Sequence, residues 1–454
     1  MARFSKSNAP RFAVDVYQNE YLPAGGRDVN AIVTVTATGG GTTGTTGAHL
    51  PGPGRTPDAA VAVMVDCSGS MDYPPTKMRN AREATAAAID TLRDGVHFAV
   101  IGGTHRAVEV YPGAGRLAVA DEASREQAKQ ALRKLSAGGG TAIGTWLRLA
   151  DRLLATADVA IRHGILLTDG RNEHESADEL RAALEACSGR FTCDARGVGT
   201  DWEVKEVTAI ASALLGSADI VADPSGLADD FTRMMETVMG KEVADVSLRL
   251  WTPMGAEVAF VKQVAPAVEE LTARRTEAGP RAGDYPTGSW GDESRDYHVC
   301  VRVPAAGVGQ EMLAARASLV VPADDGSVRT LAQGLVRALW TDDLSASTSI
   351  NPQVAHYTGQ AELAEVIQQG LDARKAGDDD GATAKLGRAV QLAGALGNED
   401  TAKLLAKVVD VVDVAAGTVR LKARVADADE MTLETRSTKT VRVKKSTSRE
   451  PQQG

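Results

Sequence analysis

The chain has 454 residues, of which 43% are hydrophobic, and a formal net charge of −10. Such a length predicts two or three domains with sizeable cores. The acidic balance argues against nucleic acid or an anionic membrane as the main partner, since phosphate recognition needs a basic surface. In chain order, residues 12–17 and 31–36 alternate as strands, but the first 38 residues are too few to form a core alone. A Gly/Thr/Pro-rich linker follows at 39–57, expected to span on the order of 20–25 Å. From residue 58 to 240 strands and helices alternate, as in a doubly wound, Rossmann-like α/β domain. The first strand ends at Asp66 and leads to a helix bearing Met78, Ala81, Thr85 and Ile89. Strands at 96–101 and 107–111 read as a hairpin about Gly103-Thr104-His105. Ser176 and Glu179 form a capping box for a later helix, and Asp201 reads as the cap of a helix bearing Val204, Val207 and Ile210.

After residue 240 the apolar period changes to two, at 246–251, 256–264, 297–303, 312–321 and 333–340. This is an antiparallel pattern and predicts a β-sandwich over 241–345. Residues 1–38 are expected to belong to it, which makes the α/β domain an insertion within the sandwich. Residues 353–415 carry three amphipathic faces, the last through Leu404, Leu405, Val408, Val409 and Val412, and predict a small helical domain. Residues 416–454 read as a largely disordered tail whose basic Arg442, Lys444 and Lys445 are a solvated end.

Three segments of the α/β domain carry the chemistry. Val61-Ala62-Val63-Met64-Val65 is a doubly buried strand ending in Asp66, with Ser68 and Ser70 beyond it. Open α/β sheets place ligand sites at the carboxyl ends of strands. Gly138-Gly139-Gly140-Thr141 opens a helix with Ile143, Leu147, Ala150 and Leu154. Gly164-Ile165-Leu166-Leu167-Thr168-Asp169-Gly170 is a second buried strand ending in an acid. Carboxylates and hydroxyls are hard oxygen donors that favour Mg²⁺, with Mn²⁺ as the alternative ion.

The Asp66-x-Ser68-x-Ser70 run, with Thr141 and Asp169, resembles the metal-ion-dependent adhesion site of the von Willebrand factor A (vWA) domain, residue for residue. The resemblance implies five metal-site residues, Asp66, Ser68, Ser70, Thr141 and Asp169, and an open metal position filled by a Glu or Asp of a partner protein. It further implies a non-enzymatic adaptor or scaffold of the bacterial intracellular type. Its partner would be an AAA+ ATPase or a kinase/phosphatase signalling system. Asp72, Tyr73 and Arg171 form the expected rim, with Arg171 placed to meet an incoming carboxylate; the bland reading is a set of solvated loop residues.

Two other readings stay open. A Mg²⁺-dependent phosphohydrolase would use an acid two residues after Asp66, where Ser68 stands and does no acid–base work near neutral pH. A structural module with an idle metal site is the other. No secretory h-region follows Met1-Ala2-Arg3-Phe4-Ser5-Lys6, and no apolar run reaches the roughly 20 residues that span a bilayer. With Cys67, Cys187, Cys193 and Cys300 lacking Cys-x-x-Cys spacing, the expected compartment is the cytoplasm, with reduced thiols.

Overall fold

The computed structural model describes residues 10–38, 59–323 and 326–442, so the expected linker at 39–57 lies outside the described residues, as do Lys444 and Lys445. Three strands come first: β1 (Arg11–Gln18), β2 (Tyr21–Pro23) and β3 (Asp28–Thr38). β1 and β3 pair antiparallel from Arg11↔Thr38 to Gln18↔Ala31. Val29, Ala31, Val33 and Val35 of β3 are all buried, the period of two that a strand with one face on a core requires.

The α/β unit follows as β4 (Ala59–Asp66), α1 (Thr76–Thr91), β5 (His97–Gly103), β6 (Ala107–Tyr111), β7 (Ala118–Val119), α2 (Glu122–Leu132) and α3 (Ile143–Leu154). It continues with β8 (Ile161–Thr168), α4 (Ala177–Cys187), β9 (Thr192–Val198), α5 (Val204–Ala213), β10 (Ala218–Val221) and α6 (Leu227–Met239). The sheet runs β10-β9-β8-β4-β5-β6, with β7 also on β5. Its strands from β10 to β5 are parallel, and β6 and β7 are antiparallel. Every residue of β4 is buried, because helices cover both faces of the sheet. Successive β4 residues feed opposite sides: Ala60, Ala62 and Met64 pack with α3, α4 and α5, while Val61, Val63 and Val65 pack with α1, α2 and α6. This is the doubly wound arrangement that the alternation of elements predicts.

Eight strands come next: β11 (Val243–Trp251), β12 (Glu257–Ala265), β13 (Glu269–Glu270), β14 (Thr276–Glu277), β15 (Ala282–Trp290), β16 (Glu293–Arg302), β17 (Glu311–Pro322) and β18 (Val328–Thr341). With the first three strands they form two sheets, β1-β3-β16-β12-β13 and β14-β15-β11-β17-β18-β2. Residues of both sheets share one apolar core, including Val33, Tyr297 and Val299 from the first and Leu248, Tyr285 and Trp340 from the second. β3 lies between β1 and β16, so chain from both sides of the α/β unit meets in one sheet. The pairing is not purely antiparallel: β2 runs parallel to β18. β15 has no counterpart in the sequence reading, because Gly283, Pro286 and Gly288 interrupt its pattern. Gly288 has φ +74° beside a register shift against β11, the backbone freedom a bulge requires.

The exit from the α/β unit is held by a compact charge cluster. Glu293 meets Lys241 at 2.7 Å and Arg295 at 3.0 Å, and the Arg295 guanidinium lies 4.2 Å from the Trp290 ring centroid. Burial alone would raise the Glu293 carboxyl, but the Arg295 and Lys241 charges outweigh it and hold it down to about 2.

The C-terminal part contains α7 (Leu344–Thr348), α8 (Pro352–Lys375), α9 (Asp379–Ala395), α10 (Glu399–Val408), β19 (Val409–Asp413), β20 (Thr418–Leu421) and α11 (Asp427–Arg436). Asn351, Asp378 and Asn398 cap α8, α9 and α10 through their side chains, as their residue types favour. Two expectations need correction here. The third helix ends at Val408 rather than running through Val412; the β-branched run beyond it pairs as a β19–β20 hairpin, which suits branched side chains better than a helix does. The segment from 416, expected to be disordered, contains β20 and α11. Arg436 and Lys439 both bind Asp219 on β10, Arg442 meets Asp296 at 3.2 Å, and Met431 packs on the α/β core. Arg442 is therefore a paired residue and not a solvated end. Among the described residues, no helix is long and apolar enough to cross a membrane.

Two outcomes follow from this architecture. A chain beginning at residue 40 lacks β1–β3 and bares the β16 edge, so it should aggregate and lose the β-domain transition in calorimetry; a soluble product with that transition unchanged contradicts the shared sheet. Glu293→Gln leaves Lys241 and Arg295 partly uncompensated and should cost about 3–5 kcal/mol in urea unfolding at neutral pH. Because Glu293 titrates lower in the folded chain than in the unfolded one, its contribution is complete above the ordinary Glu range and is lost as pH falls towards about 2. A gap between wild type and variant that stays constant down to that pH contradicts this account.

Candidate functional site

β4 and β8 are adjacent and in register, Val65 opposite Leu167, so their carboxyl ends stop at one level. Asp66 is fully buried there and its two oxygens are used separately. Oδ1 accepts the backbone N–H of Ser68 at 2.8 Å, the local turn that an Asp side chain favours, and Oδ2 accepts the Thr168 hydroxyl at 2.7 Å. Burial pushes the Asp66 carboxyl above its ordinary value, partly opposed by hydrogen bonds from Ser68 and Thr168, with the Asp169 charge adding to the rise. The site thus contains a buried carboxylate held in place by hydrogen bonds and short of positive charge.

A 3-10 turn at Gly69–Asp72 folds the chain back above Asp66. Ser68 and Ser70 hydroxyls lie 2.9 Å apart, and Ser70 Oγ donates to Asp169 Oδ1 at 2.6 Å. The glycine loop is stitched on by its backbone: Gly69 N–H donates to Gly139 O at 2.9 Å and Gly138 N–H to Cys67 O at 2.8 Å. Thr141 is buried at the end of that loop. A methyl group on Gly170 would sit 2.9 Å from Ser70 Oγ and 3.7 Å from Thr141 Oγ1, so bare backbone is what lets both hydroxyls approach there. All five expected metal-site residues are therefore gathered at one end of the sheet.

Several residues of the site have no counterpart in the sequence reading. Thr168 belongs to a strand in the sequence pattern, yet its hydroxyl also orients Asp66. His174, outside the three motif segments, accepts the Thr141 N–H at its Nδ1 at 3.3 Å and covers Gly140, where a methyl group would meet its ring at 2.1 Å. Lys77, at the start of α1, reaches in and places its ammonium 2.7 Å from Asp169 Oδ2 and 3.1 Å from Asp201 Oδ2. Burial works against that charge, but the Asp169 and Asp201 carboxylates outweigh it and raise the Lys77 pKa above its ordinary value. Asp201 is thus an ion-pair partner and not a helix cap; Glu203 occupies the cap position of α5. A Lys on α1 gives no local signal of this role, since its partners lie far away in the chain.

The rim differs in part from expectation. Tyr73 is 83% exposed and lines a cavity of about 650 Å³ together with Ser68, Ser70, Thr141 and Arg171. Arg171 already pairs with Glu203 at 3.1 Å. Asp72 is exposed and is not part of the cavity wall. Asp427, the first residue of α11, joins the wall from the C-terminal part of the chain.

The donor set fits a hard divalent ion. It consists of two carboxylates and three hydroxyls, all oxygen. Asp169 Oδ2 is buried and receives no hydrogen bond at a favourable angle, while a cation stands beside it. Among the described residues, no group of three or more His, Cys, Asp and Glu side chains converges; hydroxyls make up the rest of the oxygen set here.

Comparison with known proteins agrees with this architecture. Residues 59–220 match the von Willebrand factor type A domain, and residues 391–437 match the von Willebrand factor type A C-terminal domain. None of the curated proteins matches the chain. Among solved structures, the ArnB paralog VWA2 from Sulfolobus acidocaldarius is 14% identical, with 93% of this chain and 98% of that one covered and a TM-score of 0.57, a likeness of fold alone. The von Willebrand factor type A protein from Catenulispora acidiphila is 51% identical, with 97% of this chain and 99% of that one covered and a TM-score of 0.90. On that relationship, the chain belongs to the von Willebrand factor type A family.

Proposed function

We propose that the chain is a non-enzymatic adaptor that binds an acidic residue of a partner protein through Mg²⁺, or Mn²⁺, held at the β4–β8 strand ends. The observation that carries this reading is the chain of contacts from Ser68 to Ser70 to Asp169, with Thr141 across Gly170, opening into one cavity. Asp66, Ser68, Ser70, Thr141 and Asp169 would hold the ion. Bound there, it would supply a Lewis-acidic position that accepts one carboxylate oxygen. The exposed Tyr73 suits a protein surface, because aromatic side chains bury large area at an interface.

The remaining parts take supporting roles. We read the two sheets with a common core as a β-sandwich that carries the vWA domain, and the C-terminal helices as a brace on its β10 edge. An AAA+ ATPase or a kinase/phosphatase system is the class of partner we favour, in the cytoplasm, a setting that suits four buried cysteines without disulfides. A phosphohydrolase is the weaker reading, because the position two residues after Asp66 is Ser68, whose hydroxyl lies on Ser70.

Immobilised full chain should retain its partner from a lysate of the source cell in Mg²⁺ and release it in EDTA. Asp66→Ala should lose the partner in both conditions. Thr141→Ala should keep the fold by circular dichroism yet lower partner affinity by about tenfold or more, the cost of roughly 1.4 kcal/mol of ligation. Identical capture by wild type and Asp66→Ala, with or without Mg²⁺, would show that binding does not use the metal.

A further inference from the structure

Lys77 stands where its residue type is least expected. It is the second residue of α1, near the positive end of a helix, a position that disfavours cations. Its side chain is only 10% exposed, whereas lysines are seldom buried without a partner. Its ammonium touches Asp169 Oδ2 at 2.7 Å, the Ser70 carbonyl at 3.4 Å and Asp201 Oδ2 at 3.1 Å. The first two contacts are to residues of the donor set itself. The third is to a carboxylate outside the donor set whose side chain is 68% exposed.

A small divalent ion bonds oxygen at about 2.0–2.1 Å. An ammonium 2.7 Å from the same carboxylate oxygen would lie a few ångströms from that ion, and like charges so close in a partly buried site repel strongly. Asp169 Oδ2 therefore serves one cation at a time. Without Lys77, the buried Asp66 and Asp169 carboxylates would share the cleft with no ammonium at Asp169 Oδ2, a costly arrangement. Asp201 already holds the ammonium on its outer side and offers a place for it to go without leaving the cleft.

We propose that Lys77 is the built-in occupant of the cation position, yielding Asp169 to a divalent ion and moving onto Asp201, so that this side chain sets how much metal the site requires. The inference rests on the metal-binding reading and adds to it a threshold. With its ammonium on Asp201, Lys77 stands at the rim as a second positive charge, beside the position open to a partner's carboxylate. The favoured partner surface then carries two neighbouring acids, one for the ion and one for Lys77.

The test uses the full chain, with Mg²⁺ binding measured by calorimetry and Mn²⁺ binding by electron paramagnetic resonance. Lys77→Met should bind either ion more tightly by about tenfold or more, the scale of one close charge pair. Its melting temperature without metal should fall, and Mg²⁺ should raise it further than it raises the wild type. Asp201→Asn should weaken metal binding when Lys77 is present and leave it unchanged in the Lys77→Met background, a non-additivity that marks coupling between the two side chains. If Lys77→Met does not fold, the Asp201→Asn result decides: a weaker metal affinity supports the exchange and an unchanged one overturns it. Wild type and Lys77→Met binding with equal affinity overturns the threshold alone. Folded proteins that bind no metal in any variant overturn both the threshold and the metal-binding reading.

Discussion

Everything at the cleft depends on the parallel pairing of β4 with β8. A parallel pair in register ends at a common level, and these two strands each continue into an acid. The sheet therefore forces Asp66 and Asp169 into one small volume, and the fold must then hold two neighbouring carboxylates in place. It does so by giving each oxygen a distinct task. Thr168 and the Ser68 amide hold Asp66, Ser70 holds one oxygen of Asp169, and Lys77 stands at the other. The hydroxyl-rich strand ends and loops are thus hydrogen-bond donors to the acids.

The surrounding architecture ties down the α/β unit on two sides. The α/β unit is tied on its exit side by Lys241, Glu293 and Arg295. On its β10 side the C-terminal helix is fixed through Asp219. That helix also brings Asp427 to the cavity wall. The cavity wall is accordingly built by loops of the α/β unit and by one residue of a helix that is remote in sequence.

The doubly wound core and the meeting of Asp66 and Asp169 at one end of the sheet were legible because each rests on local pattern. A strand buried on both faces must be a continuous apolar run, and an acid closing such a run has only the loop beyond the sheet to occupy. The membership of the first strands in the β domain of residues 241–345 was also legible, since a short β segment with no core of its own needs a partner elsewhere; that the partner strand is β16 was not. What escaped the sequence was decided by tertiary contact. Lys77 acts through a side chain that crosses from another element, and Asp201 looks like a cap because caps and ion-pair partners use the same residue types. β15 hides behind Gly283, Pro286 and Gly288, of which Gly288 supplies the positive φ at its bulge. The run from Val408 to Val412 keeps a helical spacing, yet its branching decides for a hairpin once α10 has ended.

The joining of β3 to β16 also has a consequence in time. Thr36 and Ser294, hydrogen-bonded neighbours, are 258 residues apart in the chain. At ordinary ribosomal speeds of about 5–20 residues per second, the earlier strand emerges roughly 13–50 s before its partner exists. During that interval the α/β unit is completed and can close its own core, while β1 and β3 wait as an unfinished edge. Such an edge is a hazard for association with other nascent chains. Synthesis therefore imposes an order on this molecule: the central domain first, its frame second, and the helix that braces the cleft last.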